Sequence, residues 1–302
     1  MSTKKTVEEF LIEEIEKSGF PLEIEVTSLL YGSKNWLPNN QEYYLDHELN
    51  LGRTIDIVSY YIGKYDPNSK DYFETLKTEP FSVGTDMVIE CKKSNTRAWV
   101  FFTIPEVYRP PFFAGQTLDS LEVLTNGKDS IVDEIEFAGR DMETESFLYY
   151  DSHKRIAVAY SEIRLSEEQK SNGRRDIFEA ISQITKYISY DFGKIMEGVK
   201  TDVSSRLLCF YFPVIVFEGR MYECIVEKNV PKLHKRDHIL LRTHYQPKYS
   251  DSALSFGIDI VQKDYFPKFM QIVENDIYLL EERISQKRVR LAEIAEGKLI
   301  EL

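Results

Sequence analysis

Two strand-like segments with acidic residues inside them constrain the fold of this chain most. The segment GRTIDIVSYYIG, residues 52–63, is rich in β-branched and aromatic residues and predicts a strand. Asp56 lies between two of its isoleucines, where a carboxylate is costly to bury unless it is paired or binds a metal ion. The segment DMVIECKKS, residues 86–94, predicts the next strand, on which Glu90 and Lys92 share one face because side chains alternate.

These three side chains converge if the two strands are neighbours in a sheet. Two carboxylates that lie close together repel each other, and a divalent cation relieves that repulsion. A lysine beside the cation can hold or activate a water molecule and oppose the charge of a phosphate. The alternative interpretation is that Glu90 and Lys92 are surface residues at the point where the strand runs into solvent.

Helical and strand-like segments alternate along the rest of the chain, which predicts an α/β fold. Helices are predicted at residues 6–18, 21–32, 173–192 and from about 264 onwards, and strands at residues 40–46, 155–165, 238–245 and 256–262. Residues 206–228 predict a β-hairpin with its turn at residues 218–220, and residues 116–127 are compatible with a helix. The polar residues 64–85 contain two prolines and predict an insertion at a hairpin tip.

Residues 1–263 are expected to form one domain that carries this insertion, followed by a C-terminal helix over residues 264–302. Apolar residues recur in that helix at spacings of three and four. Such a helix either packs along its own domain or forms a coiled coil with a second copy or a partner protein. We expect a homodimer.

Composition and charge limit the classes of function. The 302 residues are 42% hydrophobic and 13% aromatic, which is enough apolar material for a substantial core. The net charge of −12 is unfavourable for a nucleic-acid-binding protein but does not exclude one, because basic residues can cluster on one face. No apolar run is long enough to span a membrane, no signal peptide is recognisable, and the three cysteines predict no disulfide framework. We therefore expect a cytoplasmic protein with no membrane contact.

The acid in GRTIDIV, followed by VIECKKS, resembles the motif of the PD-(D/E)xK nuclease superfamily, the restriction-endonuclease-like and Holliday-junction-resolvase-like proteins of prokaryotes. The matching residues are Asp56, Glu90 and Lys92. Glu23 in SGFPLEIEV resembles the acid that these nucleases often carry on the first core helix, and Gln183 in FEAISQITKYI resembles a polar residue on a later core helix. The resemblance covers roughly residues 18–103, with weaker support from residues 175–227.

This resemblance implies a restriction-endonuclease-like mixed β-sheet core flanked by helices. It also implies a Mg²⁺-dependent or Mn²⁺-dependent endonuclease that hydrolyses phosphodiester bonds, with DNA as the expected substrate. Asp56, Glu90 and the backbone carbonyl of Cys91 would bind the metal, and Glu23 would be a further ligand of the metal or of water. Lys92 would position the attacking water.

The chain departs from the family pattern in two ways. The two acids are 34 positions apart (90 − 56), because of the insertion, and Ile55 stands where the motif has proline. Gln183 would face the site by resemblance, whereas a solvated or capping role is its ordinary interpretation. The alternative function is a non-catalytic module of the same fold that binds nucleic acid or protein as a subunit of a defence or repair complex.

Other groups of residues carry weaker signals. His234, His238 and His244 would form a metal site only if their segment were helical, and the strand predicted there separates them. Basic residues in the same region and before the third helix are either phosphate contacts or solvated charges: Lys232, Lys235, Arg236, Arg242, Arg174 and Arg175. The chain lacks the glycine-rich phosphate-binding motifs and the nucleophile elbow of serine hydrolases.

Overall fold

The computed structural model describes residues 5–63, 82–105, 116–119, 155–165, 175–199, 206–246 and 254–300. Its helices are α1 (Val7–Lys17), α2 (Phe20–Ser33), α3 (Asp176–Val199) and α4 (Phe266–Ile300), with a 3₁₀ turn at Lys263–Tyr265. Its strands are β1 (Trp36–Asp46), β2 (Leu51–Tyr61), β3 (Ser82–Pro105), β4 (Gln116–Asp119), β5 (Arg155–Arg164), β6 (Arg206–Glu227), β7 (Val230–Lys235), β8 (His238–Tyr245) and β9 (Leu254–Gln262).

The nine strands of the described residues belong to one mixed sheet. β1, β2 and β3 are successive antiparallel neighbours, and β3 also pairs antiparallel with β5. β6 pairs in parallel with both β3 and β9, and antiparallel with β4 and β7. β8 pairs antiparallel with β9 and in parallel with β5. The predicted α/β class, with a mixed sheet flanked by helices and a long C-terminal helix, is therefore confirmed.

Apolar clusters cover both faces of the sheet. Alternation along β3 sends Val88 into one cluster and Ile89 into the other. α3 packs on the first cluster through Ile184, while α2 and α4 pack on the second through Leu22 and Phe269. Each fully buried Leu, Ile or Phe side chain contributes roughly 1.5–3 kcal/mol to stability. The two helix layers therefore fix the central strands β2 and β3 from both sides.

The hairpin predicted with its turn at residues 218–220 is wrong. β6 is one strand of 22 residues that runs through Gly219, and the chain turns instead at residues 228–229, before β7. Gly219 serves close packing, because a Cβ at this position would lie 2.7 Å from the backbone oxygen of Ser94 on the paired strand β3. The actual turn residues, Lys228 and Asn229, both have positive φ angles of 50° and 66°.

Two other predictions are affected by the structure. Residues 116–119 form the strand β4, although the sequence of residues 116–127 is compatible with a helix, and the remainder of that segment lies outside the described residues. The insertion predicted at residues 64–85 also lies mostly outside them, but its last four residues already belong to β3.

The two terminal helices expose part of their apolar surface. α1 begins at a capping box, in which Thr6 and Glu9 each bond the other's backbone N–H. Its apolar side chains, including Val7 and Phe10, are more than half exposed. α4 is buried as far as Ile284, whereas Val289 is 77% exposed. No helix in the described ranges is long and apolar enough to cross a membrane.

Candidate active site

The candidate site lies where β2 and β3 separate. Their antiparallel ladder runs from Tyr60 opposite Asp86 to Ile57 opposite Ile89, and it ends there. Continuing this register by one residue sets Asp56 opposite Glu90, and opposite residues of an antiparallel pair point to the same face. The two acids predicted from the sequence are thus brought together at the point where the strands diverge.

The side chain of Asp56 forms a hydrogen bond to β3 where the backbone ladder between β2 and β3 has ended. Its Oδ2 accepts a hydrogen bond from the backbone N–H of Cys91 at 2.8 Å. The N–H and C=O of one strand residue point towards the same neighbouring strand, so the carbonyl of Cys91 also faces this gap. Burial is the main effect on Asp56 and raises its pKa, although the charge of Lys92 and the Cys91 hydrogen bond act in the opposite direction.

Glu90 is a completely buried carboxylate, and only one of its two oxygens is paired with another side chain that the structure describes. Its Oε2 forms an ion pair with Lys92 Nζ at 2.5 Å, and its Oε1 has no hydrogen-bond partner in the described part of the chain. Burial, reinforced by the nearby charge of Asp56, raises the pKa of Glu90 to about 8. Burial alone would lower the pKa of Lys92, but the charges of Glu90 and Asp56 outweigh burial and raise it.

Glu23 approaches the same site from α2. Its side chain is buried, and its Oε2 accepts a hydrogen bond from Gln41 Nε2 at 2.9 Å. Burial raises the pKa of Glu23, and the charge of Asp56 raises it further, while Gln41 and Lys92 partly offset both effects. Glu23 is therefore close enough to Asp56 and Lys92 to interact with them, and it is not an ordinary surface acid.

Gln41 is a site residue that sequence analysis missed. It lies on β1 at the position opposite Asp56, and its φ is 56°. The residues on either side of it pair with β2, as Asn40 with Ile57 and Glu42 with Ile55, but Gln41 itself is not paired in this ladder. A left-handed backbone at a residue other than glycine is unfavourable and is often found at functional sites. Gln41 Oε1 also accepts a hydrogen bond from Thr54 Oγ1 at 3.2 Å, so its amide links Glu23 to β2.

Gln183, the last of the predicted site residues, lies next to the strand that carries Asp56. It is half-buried on α3, and its Nε2 lies 3.5 Å from the backbone oxygen of Thr54, two residues before Asp56. It therefore borders the strand that carries Asp56. No contact between Gln183 and an acid of the site is seen among the described residues.

The side chains of this site fit Mg²⁺ or Mn²⁺ in the type of their donor atoms. Hard cations prefer carboxylate and carbonyl oxygens, and Mg²⁺ often uses only one or two carboxylates and keeps several waters. Asp56 and Glu90 provide two carboxylates, and the free Oε1 of Glu90 is the buried oxygen that a cation would satisfy. The described residues nevertheless contain no group of three or more His, Cys, Asp or Glu side chains already arranged to hold a metal ion.

The three histidines of residues 234–244 lie on two strands. His234 is on the exposed strand β7, while His238 and His244 are on β8. His238 is bonded instead to the buried Asp259, with 2.6 Å between Nε2 and Oδ1. Of the basic residues nearby, Arg236 forms an ion pair with Glu223. The structure therefore brings no histidine cluster together in this region.

Comparisons with protein-family models, with curated proteins and with solved structures find no match to this chain.

Proposed function

We propose that this chain is a divalent-metal-dependent nuclease that hydrolyses phosphodiester bonds, with DNA as the expected substrate. The proposal includes a restriction-endonuclease-like arrangement of the central strands. It rests above all on one observation: Asp56 and Glu90 lie side by side where β2 and β3 separate, with the ammonium of Lys92 on Glu90. A group of two acids and one lysine of which Glu90 is fully buried and Asp56 and Lys92 are partly buried is costly for stability, and such costs are concentrated at functional sites.

The residues of the chain have separate parts in this reaction. Asp56, Glu90 and the carbonyl of Cys91 would hold the cation, which when bound supplies Lewis acidity and lowers the pKa of a water molecule. Lys92 has the only ammonium that the described residues place on these acids, and it can orient the attacking water and oppose charge that develops on the phosphate. Glu23, held by the amide of Gln41, would add a third carboxylate whose charge interacts with that of Asp56.

Cleavage assays with matched variants test the proposal. Supercoiled plasmid and labelled single-stranded and double-stranded DNA and RNA would be incubated with Mg²⁺, Mn²⁺ or EDTA. We expect metal-dependent cleavage that is lost in Asp56→Asn and Lys92→Gln but retained in Lys93→Gln, whose side chain pairs with Glu218 away from the acids. Cleavage that survives in both Asp56→Asn and Lys92→Gln would contradict the assignment.

A non-catalytic binding module is the second candidate function, and two observations favour it. Glu90 is completely enclosed and already paired with Lys92, and the chain has a net charge of −12. Metal binding separates the two functions. A nuclease site should be stabilised against heat by Mg²⁺ in a manner that depends on Asp56 and Glu90, whereas a binding module should show no such dependence.

We also propose that α4 joins two copies of the chain. Val289 is exposed, whereas Ile284, about one and a half turns earlier, is buried, so α4 offers apolar surface to a partner at Val289. Two copies would provide two sites for cleavage of both strands of a duplex. Light scattering of the intact protein should give the mass of a dimer, and a monomer at micromolar concentration would refute the proposal.

A further inference from the structure

A pocket of about 700 Å³ lies between the tip of the β1–β2 hairpin, the second half of α3 and the end of β8, and none of its lining residues belongs to the candidate active site. This volume is in the range of pockets that bind small organic ligands. The side chains that matter for its chemistry are His47 and Glu48 at the hairpin tip, Lys186, Tyr190 and Lys194 on α3, and Tyr245 on β8.

One face of α3 connects the pocket to the candidate active site. Gln183, Lys186, Tyr190 and Lys194 follow one another at spacings of three and four, which places them along one side of a helix. Gln183 borders β2 at Thr54, and the other three line the pocket. From Asp56 to the hairpin tip, β2 extends over five residues, or roughly 17 Å. A nucleic-acid strand of a few nucleotides spans this distance.

The wall of the pocket is held by a buried acid. Asp46 accepts hydrogen bonds from the backbone N–H groups of Glu48 and Leu49, from Arg53 Nε at 3.1 Å and from Lys186 Nζ at 3.0 Å. Lys186 also pairs with Glu48. The charges of Asp46, Glu48, Arg53 and Lys186 therefore compensate one another. Lys186 stabilises the wall of the pocket and has less of its charge available for a ligand.

Lys194 and three rings, those of His47, Tyr190 and Tyr245, line the pocket with partly or fully exposed surface that a ligand can contact. The ammonium of Lys194 lies 4.2 Å from the ring centroid of Tyr190 and forms a hydrogen bond with the Tyr190 side chain. The ring of His47 lies 5.8 Å from that of Tyr190. Tyr245 donates a hydrogen bond to Glu48 at 3.1 Å, which orients its ring at the other side of the pocket.

We infer that this pocket binds one unpaired nucleotide of the strand that enters the candidate active site, with the base on the tyrosine rings and its phosphate on Lys194. Aromatic faces and a nearby cation are the features by which proteins hold single-stranded nucleic acid. Glu197 at the same pocket adds a negative charge that disfavours the dense phosphates of a duplex, whereas a neutral base is not repelled by it. This inference rests on the proposed nuclease function and extends it to a substrate with an unpaired segment.

Binding without cleavage tests the inference. Fluorescence anisotropy in EDTA would compare a labelled oligothymidylate, an oligouridylate of the same length and a blunt DNA duplex. We expect Tyr190→Ala to weaken binding of the single strands roughly tenfold, because one stacked base contributes about 1–3 kcal/mol. Tyr190→Phe should retain the affinity, and Lys194→Gln should reduce both the affinity and its dependence on salt. Duplex binding should stay unchanged in all three variants.

Lys268→Gln is the matched control, because Lys268 lies over the ring of Tyr265 in a similar pair outside the pocket. It should bind every probe like the wild type. The inference is overturned if the wild type binds neither single strand, or if Tyr190→Ala binds both as tightly as the wild type does. An oligodeoxyuridylate, which differs from the oligouridylate in the sugar alone, identifies the sugar of the ligand.

Cleavage measured in parallel keeps the two proposals apart. Pocket-dependent binding of single strands without metal-dependent cleavage would support the pocket and refute the nuclease. Cleavage that requires Asp56, combined with binding that ignores Tyr190, would support the nuclease and refute the pocket.

Discussion

The carboxylate of Asp56 is bonded to the backbone N–H of Cys91, with 2.8 Å between Oδ2 and N. This hydrogen bond holds β2 to β3 one residue beyond their last ladder pair, which joins Ile57 and Ile89. Hydrogen bonds to a charged acceptor are stronger than those between neutral groups. One oxygen of Asp56 is thereby fixed to the strand that carries Glu90, and only its other oxygen is available for chemistry.

Two substitutions of Asp56 distinguish its structural role, the hydrogen bond to Cys91, from its proposed role in cleavage. Asparagine can still accept the hydrogen bond of Cys91 and removes a charge whose burial is unfavourable, as the raised pKa of Asp56 indicates. We expect Asp56→Asn to be at least as stable as the wild type in urea denaturation without divalent ions. Asp56→Ala leaves the N–H without its partner and should lose about 1–3 kcal/mol. Both variants should lose cleavage. Equal stability of the two variants would show that the hydrogen bond from Cys91 to Asp56 does not stabilise the fold.

The stability of the metal-free protein should fall as the pH rises from about 5 to 8. The folded-state pKa of Glu90, about 8, lies above the value of 4.5 for a free side chain. The folded state therefore binds the Glu90 proton more tightly than the unfolded state does. The stabilisation that this proton provides is complete below pH 4.5 and is lost as the pH rises through 8. The expected loss is on the order of a few kcal/mol. The raised pKa values of Asp56 and Glu23 act in the same direction.

Urea denaturation at several pH values measures this effect, and Glu90→Gln is its control. The substitution keeps the size of the side chain but removes its titration, so the dependence on pH should become shallower. Saturating Mg²⁺ should oppose the loss in the wild type, because a cation favours the ionised carboxylates. A wild-type stability that increases between pH 5 and pH 8 without metal would show that Glu90 is not held in its protonated form.

The pairing of the two acids could be predicted only on the condition that the two strands are neighbours, which the structure shows for β2 and β3. Alternation along β3 put Glu90 and Lys92 on one face, and an acid between two isoleucines indicated that Asp56 would be partly enclosed. The alternating pattern of strands and helices likewise predicted the α/β class. The contact of Asp56 with Cys91 did not follow, since it depends on where the β2–β3 ladder ends.

Features that depend on long-range packing escaped prediction. Gly219 has charged neighbours that are typical of a turn, but the parallel pairing of β6 with β3 brings Ser94 so close that only glycine fits. Gln41 looks like any polar strand residue, and nothing local indicates its left-handed backbone. The pocket beside α3 joins the hairpin tip to β8, which are distant in sequence.

Lys92 should be required for catalysis more than for metal binding. If the proposed function is right, Lys92→Gln should reduce cleavage about 100-fold or more, because it removes the ammonium that would oppose charge on the phosphate. Thermal stabilisation by Mg²⁺ should persist, since Asp56 and Glu90 remain. The variant should also be destabilised more at pH 8 than at pH 6, because Glu90 loses its partner when it is ionised.

Lys93→Gln is the neighbouring control for Lys92. Lys93 pairs with Glu218 at 2.9 Å, and both side chains are partly exposed, so the pair contributes little to stability. Its loss should leave cleavage within a few-fold of the wild type. Equal effects of the two substitutions would mean that general positive charge matters on this strand and that Lys92 has no special position.

Gln41 offers a test of whether the strained position on β1 serves the site. Its φ of 56° disfavours alanine by roughly 1–2 kcal/mol, whereas glycine adopts this conformation without cost. Gln41→Gly should therefore be more stable than Gln41→Ala by about 1 kcal/mol, although both lose the hydrogen bonds to Glu23 and Thr54. Urea denaturation of the two variants side by side measures this difference.

Activity should not follow stability in these two variants. The Gln41 amide lowers the pKa of Glu23 and holds its carboxylate, so losing the amide should weaken Mg²⁺-dependent cleavage equally in both. Gln41→Asn, which tolerates the left-handed backbone but is one methylene shorter, should keep the stability and not the full activity. Cleavage at the wild-type rate in Gln41→Gly would show that the left-handed backbone shapes β1 alone and that Glu23 needs no partner at the site.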